Sequence, residues 1–208
     1  NILPAPIAER LKEENEETIA DDFSEVTILF ADIVDFTKLS GRTSPHALVD
    51  MLNKVFSAFD HLTERHGLEK IKTIGDAYMV VAGLPVVRPD HAEATANMAL
   101  DMLAEMPRLR EEIGEPLGLR IGINSGPVVA GVIGDRKFAY DTWGDSVNIA
   151  SRMESQGMEN RIQLTENTYA HLRDEYVCEE RGMITVKGKE PMMAYFLVGK
   201  RVTPRSVS

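Results

Sequence analysis

The segment Val26-Thr27-Ile28-Leu29-Phe30-Ala31 is almost continuously apolar and β-branched, and it stops at a carboxylate, Asp32. A run without polar alternation suits a strand covered on both faces, which places it inside a sheet flanked by further layers. Helical spacing follows. Ser44-Pro45 supplies an N-cap and a proline at the first helical position, and Leu48, Met51, Leu52, Val55, Phe59 and Leu62 recur on one face until Gly67. Leu68 to Ile74 and Tyr78 to Val81 flank Gly75-Asp76 and predict a hairpin. Asp90 with Glu93 predicts a capping box for a helix carrying Met98, Met102 and Leu103, which Pro107 ends or kinks. Leu117, Leu119, Ile121 and Ile123 then alternate with Gly118, Arg120, Gly122 and Asn124, a half-buried strand whose second face is bare glycine and one arginine. Ser125-Gly126-Pro127 predicts a turn into a partner strand, Val128 to Ile133.

The resulting βαββαβ order predicts an α+β fold with a ferredoxin-like core, helices on one face of the sheet and the other face to be covered by a partner. A C-terminal α/β extension follows: a helix from Trp143 to Glu154, a short helix from Glu166 to Leu172, and strands around Ile184-Val186 and Ala194-Val198. Ile2, Leu3, Ile7 and Leu11 predict a short amphipathic helix, or a fraying end, ahead of an acidic run. The expected organisation is an N-terminal segment over 1–22, a compact domain over 23–200 and a disordered tail over 201–208.

The chain has 208 residues, enough for one main domain, and a net charge of −10. That balance argues against coating nucleic acid or an anionic membrane, both of which need a basic surface. Half of it lies in residues 1–22, which hold seven acidic and two basic side chains. Cys178 is the single cysteine, so no intrachain disulfide forms and a reducing compartment fits. The longest apolar stretches, Val26 to Ala31 and Tyr78 to Val87, fall short of the ~18 residues of a membrane helix. A chain that opens on Asn1 rather than Met is expected to be part of a longer protein, with a sensor or membrane region upstream.

Two groups of residues suggest chemistry. Asp32 finishes the most apolar strand and Asp76 sits at the hairpin tip, where adjacent strands bring the carboxylates together. Paired carboxylates plus substrate phosphates suit Mg²⁺, although strand-end Asp residues also serve as turn formers and caps. Asn148 and Arg152 are four apart on one predicted helix and Asp141 lies seven before Asn148. That face can contact a ribose, a phosphate and an exocyclic amine, or be a solvated surface with an ion pair. The five histidines show no metal-ligand spacing.

Five strings in order, Phe30-Ala31-Asp32-Ile33-Val34-Asp35-Phe36-Thr37, Lys72 to Tyr78, Arg120-Ile121-Gly122-Ile123, Tyr140 to Met153 and Val186-Lys187-Gly188-Lys189, resemble the class III nucleotidyl cyclases. The resemblance spans Phe23 to Val198 and is strongest to bacterial adenylyl cyclases similar to the mammalian membrane enzymes. It implies a head-to-tail homodimer with two active sites, each built from both chains. By motif position, Asp32 and Asp76, with the Ile33 carbonyl, match the ligands of two Mg²⁺ or Mn²⁺ ions. Lys72 and Asp141 match the purine-selecting pair, Asn148 the ribose contact and Arg152 the transition-state cation. Phe36 and Thr37 match positions whose N–H groups meet phosphate, and Arg120 and Lys187 match the triphosphate contacts, with Lys189 the rival to Lys187. The implied reaction is attack of the ribose 3′-hydroxyl on the α-phosphorus, giving a cyclic nucleotide and pyrophosphate.

Hydrogen-bond polarity then favours ATP. Lys72 as donor and Asp141 as acceptor complement adenine N1 and its 6-amino group, and guanine reverses both. The family's guanylyl cyclases usually carry Glu and a small residue such as Cys at these positions. The alternatives are a guanylyl cyclase and a nucleotide-sensing module without turnover. The domain is expected in the cytoplasm, with its parent open to membrane anchoring. Trp143 is expected to pack, Gly131 to Tyr140 to project as a dimer arm with a turn at Gly134-Asp135, Asp35 to support its loop and Asp145 to cap the helix.

Overall fold

The computed structural model describes residues 2–13, 18–134 and 137–202. Asp135, and with it part of the expected Gly134-Asp135 turn, the acidic positions 14, 16 and 17, and residues 203–208 of the expected tail lie outside the described residues. The first half contains α1 (Ala5–Glu13), β1 (Ala20–Ile33), α2 (Phe36–Arg42), α3 (Pro45–His66), β2 (Glu69–Ile74), β3 (Ala77–Ala82) and α4 (His91–Ile113). The second half contains β4 (Leu119–Ile133), β5 (Ala139–Trp143), α5 (Asp145–Ser155), β6 (Ile162–Thr165), α6 (Glu166–Leu172), β7 (Tyr176–Ile184) and β8 (Met192–Lys200).

The strands form one sheet in the order β2-β3-β1-β4-β6-β8-β7, with β5 paired to the far half of β4. Its first four members, antiparallel throughout, are the ferredoxin-like core that the sequence order predicted. β1 is flanked on both sides, which explains its unbroken apolar run. Leu29, Ala31 and Ile33 face α3 and α4 with Tyr78, Val80, Ile121 and Ile123. Val26, Ile28 and Phe30 face the other way with Met79, Val81 and Val128. That second face is not left for a partner to cover: Ile7 of α1, 1% exposed, and Ala150 of α5 close over it.

Several local expectations are corrected. Ser125-Gly126-Pro127 makes no turn, and β4 runs through it as one strand. Gly126 pairs with Val26 and Val128 with Phe23, so Ser24 and Glu25 of β1 bulge opposite Pro127. A residue without an N–H is tolerated where the ladder is already interrupted. Asp90 makes no cap bond, because its carboxylate is held by Arg88 at 2.7 and 2.8 Å. Pro107 does not end α4. It sits on the exposed face while Met106 and Leu109 are buried, so the helix continues past it on its packed side. Trp143 is 41% exposed rather than packed, since β5 alternates and buries Tyr140 and Thr142 instead. α2 and β6, seven and four residues long, were not anticipated from the sequence. β7 begins well before Ile184, and its exposed Glu179, Glu180 and Arg181 mark an edge strand that carries no apolar pattern.

The bare glycine face of β4 has a specific cause, because α5 lies directly on it. A Cβ on Gly122 would sit 1.9 Å from the Glu154 amide nitrogen, and one on Gly126 would sit 2.5 Å from the Ser146 hydroxyl. Gly122→Ala should therefore destabilise the fold by about 1–3 kcal/mol or more, lowering Tm by roughly 2–4 °C per kcal/mol at this size. Gly41→Ala, which meets nothing within 4 Å, should not. Thermal unfolding of the two variants checks the difference, and equal midpoints would contradict it.

Candidate active site

Alternation along β1 puts Asp32 on the same face as Ile28 and Phe30, just beyond the apolar cluster they belong to. The register sets Asp32 opposite Arg120 on β4 and opposite Ala77 on β3. The β2–β3 turn, with Gly75 at φ 58°, delivers Asp76 beside it. Arg120 Nη2 lies 3.3 Å from Asp32 Oδ2, and Arg120 Nε lies 3.3 Å from Glu154 Oε1. Two carboxyl groups thus share one guanidinium, and the third, Asp76, stands beside Asp32.

The electrostatics follow from that crowding. Burial, then hydrogen bonding and repulsion from Asp32, push the Asp76 carboxyl up to about 7, although its own N–H and that of Ile33 oppose the shift. Burial, then the Asp32 charge, push Glu154 up to about 8 against the pull of Arg120. Asp32 Oδ1 is buried without a hydrogen-bond partner among the described residues. An orphaned carboxylate oxygen among crowded carboxyls fits a hard divalent cation, and Asp32 and Asp76 are the side chains that would hold it.

Glu154 was not anticipated. It follows Arg152 on a helix that otherwise shows a solvated face, yet only 7% of it is exposed. The available signal was Gly122, since a glycine inside a strand marks a close backbone approach. That approach turns Glu154 under α5 and onto Arg120.

The remaining candidates fall into a second group. Lys72 Nζ lies 2.6 Å from Asp141 Oδ2, and Asp141 Oδ1 accepts from the Thr142 N–H at 2.8 Å, so donor and acceptor stand side by side. Asn148 and Arg152 are exposed on α5 and Lys187 on the segment after β7, each without a side-chain partner among the described residues. Lys189 is engaged by Asp145 at 2.5 Å. Asp145 is consequently the first helical residue and an ion-pair partner, while Gly144 is the N-cap, which corrects the expected capping role. Phe36 and Thr37 open α2, where backbone N–H groups lack intrahelical acceptors. Asp35 sits at φ 57° before them, and its carbonyl accepts from Lys38 and Leu39, so it does support the loop. No hydrogen bond or ion pair among the described residues joins Asn148, Arg152 or Lys187 to the Asp32 cluster.

Residues 19–199 match the family described as the adenylate and guanylate cyclase catalytic domain. An adenylate cyclase of Mycobacterium tuberculosis is 52% identical over 202 residues, covering 97% of this chain and 46% of that protein, so the chain spans less than half of that relative's length. The crystal structure of the guanylate cyclase domain of RhGC from Catenaria anguillulae in complex with GTP superposes with a TM-score of 0.84 at 39% identity, covering 87% of this chain and all of that one. The adenylyl cyclase CyaB from P. aeruginosa gives a TM-score of 0.83 at 32% identity over 89% and 98% of the two chains. The chain belongs to the class III nucleotidyl cyclase family.

The raised Asp76 value has a signed consequence. The metal-free fold binds more protons than the unfolded chain between the ordinary value of 3.8 and about 7, so raising the pH through that window removes stability. A cation binds the ionised form and must release protons below that range. Mg²⁺ affinity should rise between about pH 6 and 8, with calorimetric heats that depend on the buffer's ionisation enthalpy. Asp76→Asn should remove the loss of stability across that window and diminish the rise in affinity, leaving the part due to Glu154. Equal affinity at the two pH values would contradict the reading.

Proposed function

We propose that this cyclase domain converts ATP to 3′,5′-cyclic AMP and pyrophosphate, with Lys72 and Asp141 selecting adenine. The observation that carries the choice of purine is their 2.6 Å contact, which presents one donor and one acceptor together. Adenine N1 accepts from the ammonium and the 6-amino group donates to the carboxylate. Guanine would set N1–H against Lys72 and O6 against Asp141, two mispairings of roughly 1–3 kcal/mol each.

The chain's own residues supply the rest. Asn148 hydrogen-bonds the ribose and holds the 3′-hydroxyl towards the α-phosphorus. Arg152, one helical turn on, meets the charge that grows on the phosphate and the leaving pyrophosphate, a task suited to a guanidinium that stays protonated. Arg120 and Lys187 contact the triphosphate, as do the amides of Phe36 and Thr37. The engagement of Lys189 by Asp145 favours Lys187 as the cation for this role. Two Mg²⁺ or Mn²⁺ ions, held by Asp32, Asp76 and the Ile33 carbonyl, would lower the hydroxyl pKa and neutralise phosphate oxygens.

The working unit in this proposal is a head-to-tail homodimer. The carboxylate cluster of one chain and the Lys72, Asp141, Asn148, Arg152 and Lys187 set of its partner form each site. Support comes from the exposure of Asn148, Arg152 and Lys187 without side-chain partners among the described residues, and from Val129, Ile133, Phe138 and Trp143, all at least 39% exposed along the β4–β5 hairpin. An apolar stripe on a projecting hairpin suits contact with a second copy. Residues 1–22 would act as a relay ahead of the catalytic region 23–200, since Ile7 rests on the same sheet face as the strand that carries Asp32. An upstream sensor or membrane region in the parent chain is part of this proposal. Among the described residues no helix is long and apolar enough to cross a membrane.

Purified protein incubated with ATP or GTP and Mn²⁺ should give cyclic AMP as the main product. Cyclic GMP as the main product, or nucleotide binding without turnover, would overturn the proposal. Lys72→Glu with Asp141→Cys should shift preference towards GTP, and Arg152→Ala should lower kcat by about 10²–10³. An Asp32→Ala chain mixed with an Arg152→Ala chain should recover activity, because one composite site is then intact. Absence of recovery would argue against shared sites.

A further inference from the structure

Seven residues upstream of Asp32 on β1, about 20 Å along the strand, three side chains from separate elements converge. Glu25 comes from the β1 bulge, His91 from the first position of α4 and His171 from α6. Each presents a ligand-type atom, and these atoms lie within 4.8 Å of one another. His171 Nε2 is 2.6 Å from Glu25 Oε1, and the two imidazole rings meet edge to face with centroids 5.0 Å apart.

The surroundings of His91 are organised for ligation. The residue is 5% exposed, and its Nδ1 lies 2.7 Å from Thr27 Oγ1. That hydroxyl lies 2.7 Å from Ser125 Oγ, which is 3.0 Å from Thr168 Oγ1. A buried hydroxyl chain on Nδ1 fixes the ring and leaves Nε2 for another partner, as in metal sites where the second imidazole nitrogen is tied down by the protein. Burial, reinforced by the nearby His171, holds His91 below its ordinary value and thus in the neutral form that ligates a cation. Glu25 stands at a bulge, a device that re-aims a side chain out of strand alternation.

We propose that Glu25, His91 and His171 form a binding site for a zinc-type transition-metal dication, separate from the carboxylate centre at Asp32, with water as the fourth ligand. Two imidazoles and one carboxylate with an open position are a donor set that suits Zn²⁺. The nitrogen donors disfavour Mg²⁺, which takes oxygen ligands. The ion bridges the contact between Glu25 and His171 and ties β1, α4 and α6 together.

The test titrates Zn²⁺ into the full chain with excess Mg²⁺ present, following stoichiometry by calorimetry and the midpoint by thermal unfolding. One Zn²⁺ per chain and a raised midpoint are expected, both retained in Asp76→Asn. His171→Gln and Glu25→Gln should each weaken binding at least about tenfold and abolish the thermal shift. Both side chains are partly exposed, at 31% and 49%, so these variants keep the test open if buried His91→Gln does not fold. Failure of the wild type to bind, undiminished affinity in His171→Gln, or loss of binding in Asp76→Asn would each overturn the proposal, the first leaving Glu25–His171 a plain ion pair.

Discussion

The pairing of β1 on both edges is the constraint on which the rest of this molecule depends. Because β3 and β4 both run antiparallel to it, one register decides at once that Asp32 stands opposite Arg120 and next to the turn that carries Asp76. A slip of one residue would turn Asp32 into the α3–α4 core and bring Leu29 and Ile33 out of it. The apolar residues on both faces of β1 therefore hold the carboxylate in place. A charge at the end of such a strand is tolerable because Arg120 meets one oxygen, while the other has no hydrogen-bond partner among the described residues and suits a cation.

The second organising contact is α5 on β4. Two glycines remove the side chains that would hold the helix off, and its backbone settles onto the strand. One helix consequently serves two directions. Glu154 turns inward to Arg120, while Asn148 and Arg152 turn outward, exposed and without side-chain partners among the described residues. The inward residue bears on the carboxylate cluster of its own chain, and the outward pair is available to a ligand that also touches something else. This division is the physical basis for proposing that each site needs two chains.

Much of the fold was legible because burial leaves periodic traces. The stripe from Met51 to Leu62 and the doubly buried β1 announced themselves, and α6 has the predicted limits, Glu166 to Leu172. What escaped lacked such a trace. β6 is four residues long, β7 is a charged edge, and the turn chemistry of Ser125-Gly126-Pro127 was overridden by pairing with β1. Among the candidate site residues, Lys72 and Asp141 meet across 69 positions of sequence. Glu154 was hidden, because whether a helical glutamate faces solvent or a buried arginine depends on what lies beneath the helix.

The sequence by itself determined the α+β class, the family and the chemical types of the candidate site, since those reside in residue identity and local spacing. Only the tertiary structure decided that α1 and α5 cover the second sheet face, that Glu154 joins Asp32 and Arg120, and that Lys189 is engaged by Asp145 while Lys187 has no side-chain partner among the described residues. It also brought together Glu25, His91 and His171, which no sequence interval relates. The physical reason is common to all of these. Local pattern records which residues must be buried, whereas the partner of a polar group is set by strand register and by how closely one element approaches another.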